Sequence, residues 1–445
     1  MSKSARVLAA AAVAVAVTAC VSEPVPVQAT VTRAGAVAAP EIPGTPAGRQ
    51  LRWLLDAVPR TPIPDGELAG HFAAGFLKDI PADQLNQALA AFKDMRLERL
   101  TQSQDRALVA VVVAAGTSYE VLLSVDAAGL IVSLRFRVPE PKSWAELDER
   151  LGKVAPRSGF MAAELDKGGA CRPAHAVGPG VARPLGSMFK LYVLGAVAER
   201  IRGGAFGWDT QLTITPELKS LPSGQLQDRP DGSKVSVLEA AKLMISISDN
   251  TAADLLIHKV GRKAVERTVR AWGGHDKRDV PFLTTRELFV LKGADYPRHA
   301  KRYLSLGTAG RRAYLDKVVA KVPRSGITAW TAPRELDTLE WYASPADLCE
   351  VYSHLAALPD GHIGEVLSIN DAGLGLDKGR WPSVWFKGGS EPGVLDLSYL
   401  ARSSDGRTYF VTAMATDPSR PFDGTKATQE LLALTRGAFA LVKAR

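Results

Sequence analysis

Hydrophobic and polar positions change rhythm several times along the chain, and each change predicts a boundary. Residues 7–19 are a continuous apolar run behind Lys3 and Arg6, while residues 21–46, "VSEPVPVQATVTRAGAVAAPEIPGTP", carry no helical stripe and read as an extended tether. From 47 to 141, apolar residues first recur every three or four positions ("GRQLRWLLDAV", "GELAGHFAAGFLKDIPADQLNQALAAFKDM"), which predicts helices. They then cluster as "RALVAVVVAAG", "SYEVLLSVDAAG" and "LIVSLRFRVPE", strand-like runs separated by turn residues. Helices packed on one face of an antiparallel sheet make a small α+β domain. From 142 to 445 the order is a helix in which Ser143 and Glu146 stand at capping positions, strand signals, a mainly helical middle from 187 to about 355, and two or three late strands. The strands turn at Glu391-Pro392-Gly393 and Ser404-Asp405-Gly406, and the amphipathic "TKATQELLALTRGAFALVKAR" closes the chain. This order predicts a sheet assembled from both ends of the region, flanking a helical insertion, with a cleft between them.

Composition narrows the function classes. The chain of 445 residues, 46% hydrophobic and 23% charged, is neither disordered nor fibrous. Its net charge of +8 comes from Lys and Arg scattered among 47 acids, with no basic run interleaved with aromatics and no zinc-finger or phosphate-loop pattern, so nucleic acid is not an expected partner. The thirteen residues Val7–Ala19 are too short to span a bilayer and suit a signal-peptide core. Val17-Thr18-Ala19-Cys20 resembles a bacterial lipobox, which implies cleavage before Cys20, lipidation of Cys20, export, and anchoring to the outer face of the bacterial membrane. Only Cys171 and Cys349 remain, and an oxidising compartment would permit them to pair. No histidines stand at ligand spacing beside them, so no metal and no other cofactor is expected. His71, on an apolar helix, reads as a packed or surface residue.

Candidate chemistry begins at "PLGSMFKLYVLGAV". Ser187 is the one serine followed three residues later by lysine, and on a helix Lys190 would stand over the same face. Ser248-Asp249-Asn250 interrupts an apolar helix in "LMISISDNTAADLLI", and Lys387-Gly388-Gly389 follows an apolar strand in "VWFKGGSEPG". A second Lys167-Gly168-Gly169 precedes the serine and reads as a turn. S-x-x-K, S-D-N and K-[TSG]-G in this order are the motifs of class A β-lactamases and penicillin-binding proteins. Residues 142–445 resemble that family of serine hydrolases, also in "LPSGQLQ", "SISDNTAADLLI" and "PFLTTRELFVLK". The α+β domain ahead of them is similar in architecture to NTF2-like or steroid-isomerase domains, and the whole arrangement is similar to actinobacterial two-domain proteins associated with clavulanic-acid biosynthesis.

The resemblance implies roles residue by residue. Ser187 would be the acylated nucleophile, Lys190 its base when neutral, Ser248 a proton relay, and Lys387 a positive anchor for a substrate carboxylate. Asn250, Gly388, Gly389 and Ser390 would bind substrate, the Ser187 and Ser390 N–H groups receiving the oxyanion. Asp249 is expected to order its loop. The implied partner is a small acyl substrate, a β-lactam or a peptidoglycan-like amide or ester, for a monomeric enzyme.

Two departures bear on turnover. No E-x-x-L-N stretch supplies the glutamate that activates deacylating water in class A enzymes, leaving Glu287, Glu340 or no residue for that task. Gly388 stands where Thr or Ser is usual, which removes a hydroxyl from the carboxylate site. A D,D-peptidase or esterase-like penicillin-binding protein with slow deacylation, or a non-catalytic wall- or ligand-binding lipoprotein, are the alternatives.

Overall fold

The computed structural model describes residues 41–443, so the signal peptide, the lipobox and Cys20 lie outside the described residues, as does most of the tether. The described residues separate into two compact units, 41–140 and 141–443.

In the first unit, helices α1 (Pro46–Ala57), α2 (Asp65–His71), α3 (Ala74–Asp79) and α4 (Ala82–Leu89) precede an antiparallel meander. Its strands, β1 (Arg96–Ser103), β2 (Ala107–Ala114), β3 (Thr117–Val125) and β4 (Ile131–Arg137), pair in sequence order. Thr45 caps α1 by accepting from the Gly48 N–H at 3.1 Å, with Pro46 at the first helical position, where its missing N–H costs nothing. Leu51, Leu54, Leu68, Phe72 and Leu85 share one core with alternate residues of β2 and β3, among them Leu108, Ala110, Val112, Val121 and Leu123. The unit is α+β, as its periodicities predict. Strand β1 is an addition: "RLERLTQS" is mostly exposed and carries two register shifts, so an edge strand leaves little hydrophobic signature. His71 stacks on Trp53 at 3.9 Å and its Nδ1 lies 2.8 Å from Gln50 Oε1, a packed position.

In the second unit, α5 (Trp144–Val154) leads into β5 (Arg157–Leu165) and β6 (Cys171–Val177), and the chain returns to the same sheet as β7 (Ser383–Glu391), β8 (Val394–Arg402) and β9 (Thr408–Thr416). The order β7-β8-β9-β5-β6 is antiparallel throughout and zips the two ends of the unit together at β9 and β5. The period of two sorts side chains into two cores. Phe160, Ala162, Tyr409, Val411 and Ala413 face Leu147, Leu151, Leu431 and Phe439 of α5 and the C-terminal helix Gly424–Lys443. Met161, Ala163, Phe410 and Met414 face the helical insertion, including Leu348 and Tyr352 of the helix Pro345–Ala357. The predicted cap holds, with Ser143 Oγ accepting from the Glu146 N–H at 3.2 Å. Lys167-Gly168-Gly169 is the turn between β5 and β6, closed by the Gly169 N–H donating to the Asp166 carbonyl at 2.8 Å.

Cys171 and Cys349 are bonded, across a sequence separation of 178 residues. The bridge ties the start of β6 to the helix Pro345–Ala357 and closes a loop that carries most of the helical insertion. Cross-linking so long a segment restricts the unfolded chain, an effect of about 3–5 kcal/mol. Reduction, or Cys349→Ala, is expected to lower the thermal midpoint by several degrees in calorimetry.

Candidate active site

The serine of the first motif sits in a 3-10 turn, Gly186–Phe189, and α6 (Lys190–Arg202) continues from it. The turn rests on β7. A side chain at Gly389 would put its Cβ 2.0 Å from the Leu185 carbonyl oxygen and 2.9 Å from the Ser187 nitrogen. A Cβ on Gly186, whose φ is +46°, would reach the Ser390 nitrogen at 2.8 Å. Two backbones in such contact require glycine on both sides, and they bring the Ser187 and Ser390 N–H groups to one place. Two neighbouring backbone amides are the kind of apparatus that can receive a carbonyl oxygen becoming negative. Gly389→Ala is expected to separate them and slow acylation by about 10²–10³-fold, read by stopped-flow.

The second motif is a break between helices α7 (Val237–Ser246) and α8 (Asn250–Val260). Asp249 caps α8 through its bond from the Ala252 N–H at 2.8 Å, and its second oxygen accepts the Gln225 and Leu226 N–H groups at 2.7 and 2.9 Å. It is fully buried and orders the 220s loop, as expected of it. Ser248 is held between these elements with φ +58°, an uncommon conformation for a residue with a side chain, of the kind that gathers at functional sites.

Lys190 Nζ gathers the first two motifs. It donates to the Ser248 carbonyl at 2.6 Å and to Asn250 Oδ1 at 2.7 Å, and it lies 3.2 Å from Ser187 Oγ and 3.1 Å from Ser248 Oγ. A neutral amine has two hydrogens and one lone pair. The carbonyl and the amide oxygen can only accept, so they take both hydrogens, and the lone pair remains for a hydroxyl proton. The charge state agrees with that accounting. Lys190 is fully buried, and burial first, then the nearby Lys387 ammonium, push its pKa well below the usual lysine range, against the opposing pull of Asp249 and Asp254.

Lys387, from β7, completes the group. Its Nζ donates to Ser248 Oγ at 3.1 Å and to the Gly388 carbonyl at 2.6 Å, and burial lowers its pKa to about 7. Ser248 Oγ thus bridges both lysines and can pass a proton between them. Ser187 and Ser248 are half-buried and Ser390 is exposed, so the hydroxyls face a reachable surface while the amines do not.

Ser187, Lys190, Ser248, Asn250 and Lys387 are joined by hydrogen bonds, and Gly388, Gly389 and Ser390 follow Lys387 on β7, with two refinements. Asn250 uses its amide nitrogen to donate to the Leu221 carbonyl at 3.1 Å, so its present partners are Lys190 and the loop. At Gly388 a Cβ would come within 2.9 Å of the Phe386 ring, so a side chain there would require the ring to shift. The candidate deacylating bases are engaged elsewhere. Glu287 completes the capping box at Thr284 and takes a two-pronged ion pair from Arg262, and Glu340 is paired with Lys292 at 2.6 Å. Neither carboxylate hydrogen-bonds to Ser187, Lys190, Ser248 or Lys387. Sequence reading misses Ser223, whose hydroxyl donates to the Ser248 carbonyl at 2.8 Å, and the pairing of Lys292 with Glu340 and Glu391, residues 48 and 99 positions away with no shared motif.

Comparison with known proteins follows the same division. Residues 144–309 match the beta-lactamase enzyme family, and residues 42–131 match the family described as ORF 12 gene product N-terminal. Among solved structures, the chain is similar to PBP-A at 19% identity, over 69% of this chain and 100% of that one, with a TM-score of 0.47. It is similar to a beta-lactamase from Sphaerobacter thermophilus DSM 20745 at 18% identity, over 68% and 98%, with a TM-score of 0.48. A PBP-A variant solved as an acyl-enzyme complex with penicillin G matches at 18% identity, over 68% and 99%, with a TM-score of 0.46. No curated protein matches the chain.

Proposed function

Residues 144–309 belong to the beta-lactamase enzyme family, and from that premise we propose that the protein is an exported serine hydrolase that takes an acyl group from a β-lactam, or from a related amide or ester, onto Ser187 and releases it slowly. The observation that carries this reading is the hydrogen-bond accounting at Lys190, which leaves one lone pair beside Ser187 Oγ.

The steps follow from the placements. Lys190 accepts the Ser187 proton as Oγ attacks the acyl carbon, and the Ser187 and Ser390 N–H groups hold the resulting oxyanion. The proton then travels from Lys190 through Ser248 Oγ to the leaving nitrogen or oxygen, and the tetrahedral centre collapses to an ester on Ser187. Lys387, while protonated, attracts a substrate carboxylate.

Slow release is inferred because Glu287 and Glu340 are both committed to cationic partners, leaving neither to activate water. This favours the penicillin-binding, esterase-like behaviour over rapid β-lactam hydrolysis. Export and lipid anchoring at Cys20 are supported by the lipobox resemblance, and an oxidising compartment by the Cys171–Cys349 bond. The order of helices and meander in the first unit supports its reading as NTF2-like.

Two acyl donors test the function: penicillin G and a depsipeptide ending in a D-alanyl ester. We expect a burst of one equivalent, seen as ring opening of penicillin G or as release of the leaving hydroxy acid from the depsipeptide, followed by slow turnover. No burst and no turnover with either donor would favour a non-catalytic binding lipoprotein.

A further inference from the structure

Behind the amides of the site lies a second charged group that the acylation chemistry does not use. Lys292, from the end of the helix Thr285–Gly293, places its Nζ 2.6 Å from Glu340 Oε1 and 2.8 Å from Glu391 Oε1. The three side chains are 0%, 1% and 10% exposed. One cation among two carboxyls in an apolar setting would leave an uncompensated negative charge, which burial makes costly. The group resolves this by keeping a proton. Burial and the adjoining Glu340 carboxylate push the Glu391 carboxyl well above its usual range. Glu340 Oε2 is buried and without a hydrogen-bond partner, which is the place left for that proton.

Position gives this neutral group its consequence. Glu391 directly follows Ser390, whose N–H is one of the two neighbouring amides. Glu340 directly precedes Trp341, whose carbonyl accepts the Leu185 N–H at 2.8 Å, and Leu185 is the residue whose carbonyl presses on Gly389. The group is therefore joined to both backbones that meet beside Ser187. Arg334 holds the helix end, donating to the Lys292 carbonyl at 2.6 Å. Asp279 and Asp396 are the further buried acids within electrostatic reach of Glu340, and Tyr342 the nearby phenol.

We propose that Lys292, Glu340 and Glu391 are positioning residues for the oxyanion amides, acting as one buried unit with a single proton shared between the two carboxyls. The proposal rests on the acylation reading for its kinetic consequence, and its test separates the two. In the full chain, the carboxylic-acid region of the infrared spectrum at neutral pH is expected to lose one acid equivalent in Glu391→Gln. In stopped-flow acylation by penicillin G, Lys292→Met is expected to lower the acylation rate constant by about 30-fold or more, with the non-covalent dissociation constant changed by less than about 3-fold. That split would not arise from a general loss of folded protein. Glu340→Gln keeps the side-chain volume and serves if Lys292→Met does not fold; it too is expected to acylate slowly with binding preserved.

An unchanged infrared spectrum in Glu391→Gln would overturn the shared proton. Acylation within about 2-fold of wild type in the folded Lys292 and Glu340 variants would overturn the positioning role. A wild-type protein that takes no acyl group would instead remove the acylation reading on which that role depends, while the infrared result would still decide the proton.

Discussion

Lys190→Arg is expected to reduce acylation of Ser187 by at least about 10³-fold while leaving the protein folded. Arginine keeps length and hydrogen-bonding capacity, but its guanidinium does not surrender its proton, and the mechanism needs a lone pair 3.2 Å from Ser187 Oγ. The wild-type pH dependence has a definite sign. Burial and Lys387 lower the Lys190 pKa well below the usual lysine range, and acylation falls as pH drops through that lowered value. Lys387 works in the opposite direction. It is charged below about 7, so in the free enzyme the attraction for a substrate carboxylate weakens as pH rises through that value. Acylation efficiency toward a carboxylate-bearing donor should therefore fall at both ends of the pH range, with the alkaline limb appearing in binding. A donor without a carboxylate should lose most of the alkaline limb. Rate measurements on the two donors across pH check both limbs.

The second large effect concerns what happens after acylation. The acyl group on Ser187 is expected to outlast removal of free penicillin by gel filtration, because Glu287 is held by Arg262 and Thr284 and Glu340 by Lys292. Freeing Glu287 with Arg262→Ala should not speed release, since that carboxylate would remain at the cap of its own helix. Mass spectra collected after the filtration step report the surviving adduct directly.

Much of this site is legible in the sequence because its parts are local. A serine and lysine three apart, a polar triplet between two apolar helices, and a Lys-Gly-Gly on an apolar strand each announce themselves by spacing, and their order along the chain supplies the rest. The sheet is legible for a similar reason: β5 and β9 bury both faces and read as strong apolar runs. What escapes the sequence depends on long-range packing. Strand β1 is exposed and polar, so its pairing comes from β2 and not from its own pattern. Lys292, Glu340 and Glu391 look like three ordinary surface charges until the fold encloses them, and Glu340, which could be read as a base for water, is already neutralising a lysine. The glycine at 388 is visible as a departure from the family, yet the Phe386 ring close to that position is a matter of three dimensions.

The most direct test of the central claim is peptide mapping by mass spectrometry after exposure to penicillin G. One acyl addition, confined to the peptide that contains Ser187 and absent from Ser187→Ala, is the predicted result. An unmodified wild-type peptide, or an addition that persists elsewhere when Ser187 is replaced, would contradict it.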